Sequence, residues 1–206
     1  MSSSNLIRWS GLAAVAGGVL IVISDVLNAV LYPSEPGSEA MLTSTWFIVQ
    51  MLGLVALVLI TLGLVGMYAT QVQQTGTLGL LAFVITFTGM LMVFGLFWSE
   101  PFLGPVVAKE APDLLSIEPS GVIAAGSILS IMLFALGWLL FGLASLRAGV
   151  LPRGAAILMI VGALLSFVLT SFNLPLWSVV LGMAMTWMGY VLWSGIGEPA
   201  LVSEAA

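Results

Sequence analysis

The chain has no cysteine and no histidine, and its 206 residues hold four basic side chains against nine acidic ones. Without cysteine there are no disulfides, no thiolate nucleophile and no iron–sulfur ligation, and the redox compartment cannot be read. Without histidine the commonest metal, haem and acid–base side chain is missing. Four Lys and Arg cannot build the basic stripe that nucleic-acid phosphates need. No Gly-x-Ser-x-Gly elbow, phosphate loop or His-Glu-x-x-His motif occurs, and no paired carboxylates fall within an apolar run. The acidic residues Glu100, Glu110, Asp113 and Glu118 offer oxygen ligands, but at no recognised calcium-loop spacing. No catalytic residue, metal, nucleotide, nucleic acid or cofactor is therefore expected, and the chain reads as not an enzyme.

What is present is apolar. Hydrophobic residues make up 61% and charged ones 6%, where a soluble domain carries about 25% charged residues. Hydrocarbon is the solvent such a chain needs. A bilayer core of about 30 Å takes roughly 20 helical residues per crossing. Uninterrupted apolar stretches run over 9–31, 44–70, 77–98, 122–146, 154–172 and 175–194. They predict an all-α, single-domain bundle of six transmembrane helices covering residues 1–206. Strands are not expected, because the runs lack period-two alternation and are about twice the length of a barrel strand.

The breaks carry their own punctuation. Two prolines end the first span in Tyr32-Pro33-Ser34-Glu35-Pro36, where proline denies the helix its amide donors. Gln71 to Thr77 reads as a short polar turn, and Arg147 to Arg153 as a tight basic one containing Gly149 and Pro152. Pro101, Pro105, Pro112 and Pro119 break the loop after Trp98, whose apolar residues predict short helices over the bundle mouth. The first span resembles a signal peptide in outline, but its run is too long and no small-x-small site precedes Tyr32, so it is expected to be retained.

Orientation follows Lys and Arg. With the amino terminus in the cytoplasm, Arg8, Arg147 and Arg153 lie inside and Lys109 alone lies outside, beside Glu35, Glu39, Glu100, Glu110, Asp113 and Glu118. Both termini are thus expected on the cytoplasmic face. Trp9, Tyr68, Tyr190 and Trp193 fall near the inner interface and Tyr32, Trp46, Trp98 and Trp177 near the outer one, with Trp138 and Trp187 deeper.

One register lays Arg8, Gly17, Leu20 and Asn28 on Arg153, Gly162, Leu165 and Asn173. Another lays Gly76, Leu78, Gly89, Leu91 and Phe94 on Gly149, Leu151, Gly162, Leu164 and Phe167. Both map odd-numbered spans onto odd-numbered ones, which implies a helical hairpin used three times in parallel; abundant Gly and Leu offer chance as the competing explanation. Each span also carries small or polar residues at helical spacing. They include Gly11, Ala14 and Gly18 in the first, Gly126, Ser130 and Gly137 in the fourth, and Gly182, Thr186 and Gly189 in the sixth. Such stripes are expected to be packing faces, since lipid tails are as apolar as leucine and close approach must hold the helices together.

Asp25 is the sole ionisable residue inside a span. An aspartate at the bilayer centre costs about 2.5–3.5 kcal/mol on insertion scales, and no Lys or Arg is at hand to pair with it. Depth bookkeeping collects Asn28, Gln50, Ser130, Asn173 and Glu100 toward the same outer third. Two readings compete. In one, Asp25 is protonated within a hydrogen-bonded cluster that fixes helix register. In the other, these six residues bind an ion or small polar ligand in an outward-facing cavity.

Two stretches, Trp98-Ser99-Glu100-Pro101-Phe102 continuing to Ala111-Pro112-Asp113-Leu114-Leu115, and Arg147-Ala148-Gly149-Val150-Leu151-Pro152-Arg153 leading into Ile160-Val161-Gly162, join an Asn-Leu-Ile-Arg-Trp-Ser-Gly-Leu-Ala start. Together they resemble uncharacterised bacterial six-helix membrane proteins of unknown function. That resemblance implies a bacterial inner-membrane address and carries over no site residues. The expected function is a non-catalytic multi-pass scaffold or accessory subunit, with the lipid bilayer and other membrane proteins as partners. The alternatives are a small transporter or channel built around Asp25, and a sensor reading ligands through the acidic loops.

Overall fold

The structure, a computed structural model, describes residues 3–33, 37–117, 119–169 and 175–195. Among them every regular element is helical. The long ones are α1 (Ser3–Leu31), α3 (Ser44–Phe102), α5 (Gly121–Ala148), α6 (Arg153–Leu169) and α7 (Leu176–Ser194). The short ones are α2 (Ser38–Met41), α4 (Gly104–Glu110) and a 3-10 turn, Pro112–Ser116. Four helices, α1, α3, α5 and α7, are long and apolar enough to cross a membrane, and α6 is a shorter apolar helix. Their exposed surface is largely Leu, Val and Ile, as expected of helices solvated by lipid tails. Short helices do form between Pro101 and Leu115, as the apolar residues there suggest.

At about 1.5 Å per residue a straight α3 of 59 residues would be about 90 Å long. It is not straight. Gly76 sits at φ 56°, ψ −143°, a region open essentially only to glycine, and there the chain doubles back. The arms, residues 44–75 and 77–102, pack antiparallel. Tyr68 stacks on Phe83 at 4.4 Å between ring centres, and Trp46 Nε1 donates to the Glu100 carbonyl at 3.5 Å. The polar turn expected over 71–77 is therefore smaller than the sequence suggests. Gln71 is helical and buried, with its Nε2 donating to Ser145 Oγ at 2.9 Å; Gly76 alone makes the bend. Thr43 opens the first arm by accepting from the Trp46 amide at 3.1 Å, the usual N-cap arrangement. Gly149, left-handed at φ 65°, closes α5 before α6 begins.

Close approach at small residues sets the neighbours. A methyl added at Gly11 would stand 2.7 Å from the Gly189 carbonyl, and one at Gly189 would stand 2.6 Å from the Gly11 carbonyl. Gly18 and Gly182 repeat that reciprocity at 2.6 Å each. These two pairs clamp α1 antiparallel to α7. Gly17 meets the Ile60 amide and Gly63 meets Ala14, which seats the first arm of α3 on α1. Gly89 meets the Phe134 amide and Gly137 meets Thr86, which seats the second arm on α5. Gly142 lies against Ile160 of α6, and Gly162 against the Leu181 amide of α7. The result is a closed ring in chain order: α1, the two arms of α3, α5, α6, α7 and back to α1.

The glycine stripes read from the sequence are thus contact faces, with one exception. Gly126, expected to be buried, is exposed and would accept a methyl with nothing within 4 Å. Residues 121–129 of α5 are largely uncovered, with Val122 and Ile123 almost bare.

Charge divides between the ends of the ring. Arg8, Arg147 and Arg153 share the end with the Gly76 bend, and Arg8 Nε donates to the Trp193 carbonyl at 3.2 Å, satisfying a C-terminal acceptor of α7. Glu39, Glu100, Lys109, Glu110 and Asp113 lie at the opposite end, where Lys109 and Glu110 form an exposed ion pair at 3.7 Å.

Candidate functional site

Asp25 lies six residues before the end of α1, about 9 Å along the helix axis. Its partner is Ser178, in the first turn of α7. The α1–α7 glycine clamps bring them together: Gly18 on Gly182 fixes the phase, and Asp25, about two turns further along α1, comes to the start of α7, where Ser178 lies about one turn before Gly182. Ser178 is fully buried, and its hydroxyl donates to the Pro175 carbonyl at 2.8 Å. The same hydroxyl is a hydrogen-bond partner of the Asp25 carboxyl.

The other residues expected around Asp25 are placed variously. Ser24 Oγ donates to the Val49 carbonyl at 2.9 Å, which levels α1 with the first arm and puts buried Gln50 at the height of Asp25. Asn28 follows one turn further along α1. Its Oδ1 is buried and finds no hydrogen-bond partner among the described residues. Ser130 is buried, but its hydroxyl turns back to the Gly126 carbonyl of its own helix at 2.7 Å, so it adds nothing to the cluster. Glu100 stands at the far end of α3, joined to Trp46 through its backbone carbonyl. Asn173 lies outside the described residues. Asp25 and Gln50 stand level on α1 and the first arm of α3, with Asn28 one turn further along α1; Ser130 lies on α5 and Glu100 near the end of the second arm. Among the described residues no set of three metal-ligating side chains gathers anywhere.

A cavity of about 160 Å³ occupies the axis of the ring, in the half nearer the acidic end. Each member of the ring contributes to its wall: Ile21 of α1, Leu57 and Met90 of the two α3 arms, Trp138 of α5, Ser166 of α6 and Ser178 of α7. Asp25, Asn28, Gln50, Glu100 and Ser130 are absent from that wall. The polar outward cavity considered for Asp25 does not coincide with this one, whose lining is almost wholly hydrocarbon. Its two serines are bonded locally, Ser166 to the Ala163 carbonyl at 2.8 Å and Ser178 to Pro175. Trp138 differs. It has no exposed surface, packs edge-on to Phe134 and Phe141, and its indole N–H has no acceptor among the described residues.

Sequence reasoning missed Ser178 and gave Trp138 no role. Ser178 could have been noticed as a hydroxyl three residues past Pro175, in the first turn of a helix. Nothing in the sequence pairs it with Asp25, because that pairing needs the first and last helices to be neighbours. A second buried polar contact, Gln71 with Ser145, lies toward the basic end and leaves Gln71 Oε1 unpartnered. No family model, no curated protein and no solved structure matches the chain.

Proposed function

We propose that the chain is a non-catalytic, multi-pass protein of a bacterial inner membrane that serves as a scaffold or accessory subunit of a membrane assembly. In this reading it crosses the bilayer six times, the arms of α3 counting separately and α6 completing the set, with both termini in the cytoplasm. The gathering of Arg8, Arg147 and Arg153 at the end of the Gly76 bend supports that orientation through the positive-inside preference. The arrangement of three parallel hairpins is supported by recurrence of one contact. Gly17, Gly89 and Gly162, equivalent in the two registers of the sequence, each abut a backbone amide of the following helix, at Ile60, Phe134 and Leu181.

One observation carries the functional reading. The polar groups within the bundle are mostly spent on its own hydrogen bonds, while the ring presents hydrocarbon outward and leaves α5 residues 121–129 uncovered. A protein arranged in this way offers surface rather than chemistry. A conduit is the less supported alternative, because Asp25 stands off the cavity wall and is tied to Ser178. The test is extraction at native abundance into lipid nanodiscs without detergent, followed by native mass spectrometry. Co-migration with a larger membrane assembly is the expected result; the chain appearing only at its own mass, with lipid, overturns the proposal.

A further inference from the structure

We propose that the axial cavity is a binding site for a compact, largely hydrocarbon molecule carrying a single hydrogen-bond acceptor of the carbonyl type, held by the Trp138 indole N–H.

Three observations meet there. The volume, about 160 Å³, is close to that of an engineered apolar cavity of about 150 Å³ that stays dry and admits benzene. It is far too small for a whole lipid. The wall is hydrocarbon on every side, with Ile21, Leu57, Met90 and Leu181 among its residues. Water needs two to four polar partners to remain in such a space, and Ser166 and Ser178 are already engaged with backbone carbonyls. The third observation is the donor. Trp138 is fully buried, belongs to the cavity wall, and keeps an N–H with no acceptor. Buried indole N–H groups usually find a partner, and an orphaned donor in low dielectric is costly. A ligand that brings one acceptor removes that cost, whereas a pure hydrocarbon leaves it in place. The aromatic edges of Phe134 and Phe141, packed nearly at right angles to the indole, hold the ring in the wall.

This fixes the chemical class. The ligand is the size of a six-membered ring, apolar over most of its surface, and has one ketone-like oxygen at its edge.

The full-length protein, labelled with [15N]tryptophan in nanodiscs, is titrated with cyclohexanone and with its near-isostere methylenecyclohexane, each at matched mole fraction in the bilayer. The Trp138 indole resonance is identified by its loss in Trp138→Phe. Cyclohexanone is expected to shift that resonance downfield saturably and to bind about tenfold more tightly than the hydrocarbon, the preference one net hydrogen bond gives. In Trp138→Phe the hydrocarbon still binds and the tenfold preference disappears. Absence of saturable binding by either probe, equal affinity for both, or a Trp138 signal that does not move with cyclohexanone each overturns the proposal. Should Trp138→Phe not fold, the resonance is assigned by elimination from single Trp→Phe variants of the other six tryptophans, and its response to cyclohexanone decides the matter.

Discussion

Substituting Gly18 by alanine tests the packing where the backbones of α1 and α7 meet. The added methyl would lie 2.6 Å from both the Gly182 carbonyl and Thr186 Oγ1, and 3.0 Å from the Thr186 amide. Carbon and oxygen rest at about 3.3 Å or more, so α1 and α7 must part by about 0.7 Å at this crossing. Two backbones cannot yield as a side-chain tip would. Overpacking of this kind costs about 1–3 kcal/mol, against which alanine recovers up to about 1 kcal/mol of helix propensity. Gly95→Ala is the control: nothing lies within 4 Å of its added methyl, so only the gain of up to about 1 kcal/mol applies. The account therefore places Gly18→Ala about 1–3 kcal/mol below Gly95→Ala in stability. Gly182→Ala requires the same displacement from the other side. The double substitution Gly18→Ala with Gly182→Ala should thus cost less than the sum of the singles by at least about 0.5 kcal/mol, whereas Gly18→Ala with Gly89→Ala, in separate interfaces, should add. Reversible unfolding in mixed micelles, followed by far-ultraviolet circular dichroism, reads all of these. If Gly18→Ala and Gly95→Ala prove equally stable, the reasoning from close approach fails.

Three further outcomes follow from named contacts. Asp25→Asn keeps a polar partner for Ser178 and should leave stability nearly unchanged, while Asp25→Leu removes the contact and should cost about 0.6–1.7 kcal/mol, the range for hydrogen bonds between membrane helices; the same micelle titration checks both. Ser145→Ala leaves Gln71 without any partner and should cost about 1–3 kcal/mol, whereas Gln71→Leu also removes an oxygen that is already orphaned and should cost less. A double-mutant cycle on that pair distinguishes the two. Gly76→Ala forces a β-carbon into backbone space reserved for glycine and should cost about 1–3 kcal/mol, seen as a lower unfolding midpoint with unchanged helicity.

Much of the architecture is legible in the residues, because bilayer thickness turns apolar run length into helix length. The starts and ends of α1, α5 and α7 fall within a few residues of the apolar runs, apart from the amino-terminal extension of α1 to Ser3. Gly11, Gly18, Gly182 and Gly189 announce themselves by their seven-residue spacing and do form one interface. Polarity misled at two places. Gln71 looks like loop because glutamine prefers water, yet a partner on α5 lets the helix continue past it to Gly76. Ser130 looks like part of a cluster, yet a serine in a helix can satisfy itself on the carbonyl four residues back. Gly126 has the right spacing for a packed face, but among the described residues nothing covers that stretch of α5. The Asp25 environment is only half legible: the cost of a carboxyl in hydrocarbon demands a partner, but ring closure by α1 and α7 determines which one. Trp138 is harder still, because an unmet N–H emerges only when every neighbouring acceptor is placed.

The threading itself is tested most directly by accessibility, which the absence of native cysteine makes clean. Single substitutions Ser4→Cys, Gln73→Cys, Val150→Cys, Glu39→Cys and Ser116→Cys would be challenged with a membrane-impermeant maleimide in right-side-out and inverted vesicles. The account predicts that positions 4, 73 and 150 label together on the cytoplasmic face, and positions 39 and 116 together on the other. Labelling of position 73 with 39 and 116, opposite to position 4, would contradict the fold-back at Gly76 and the ring built on it.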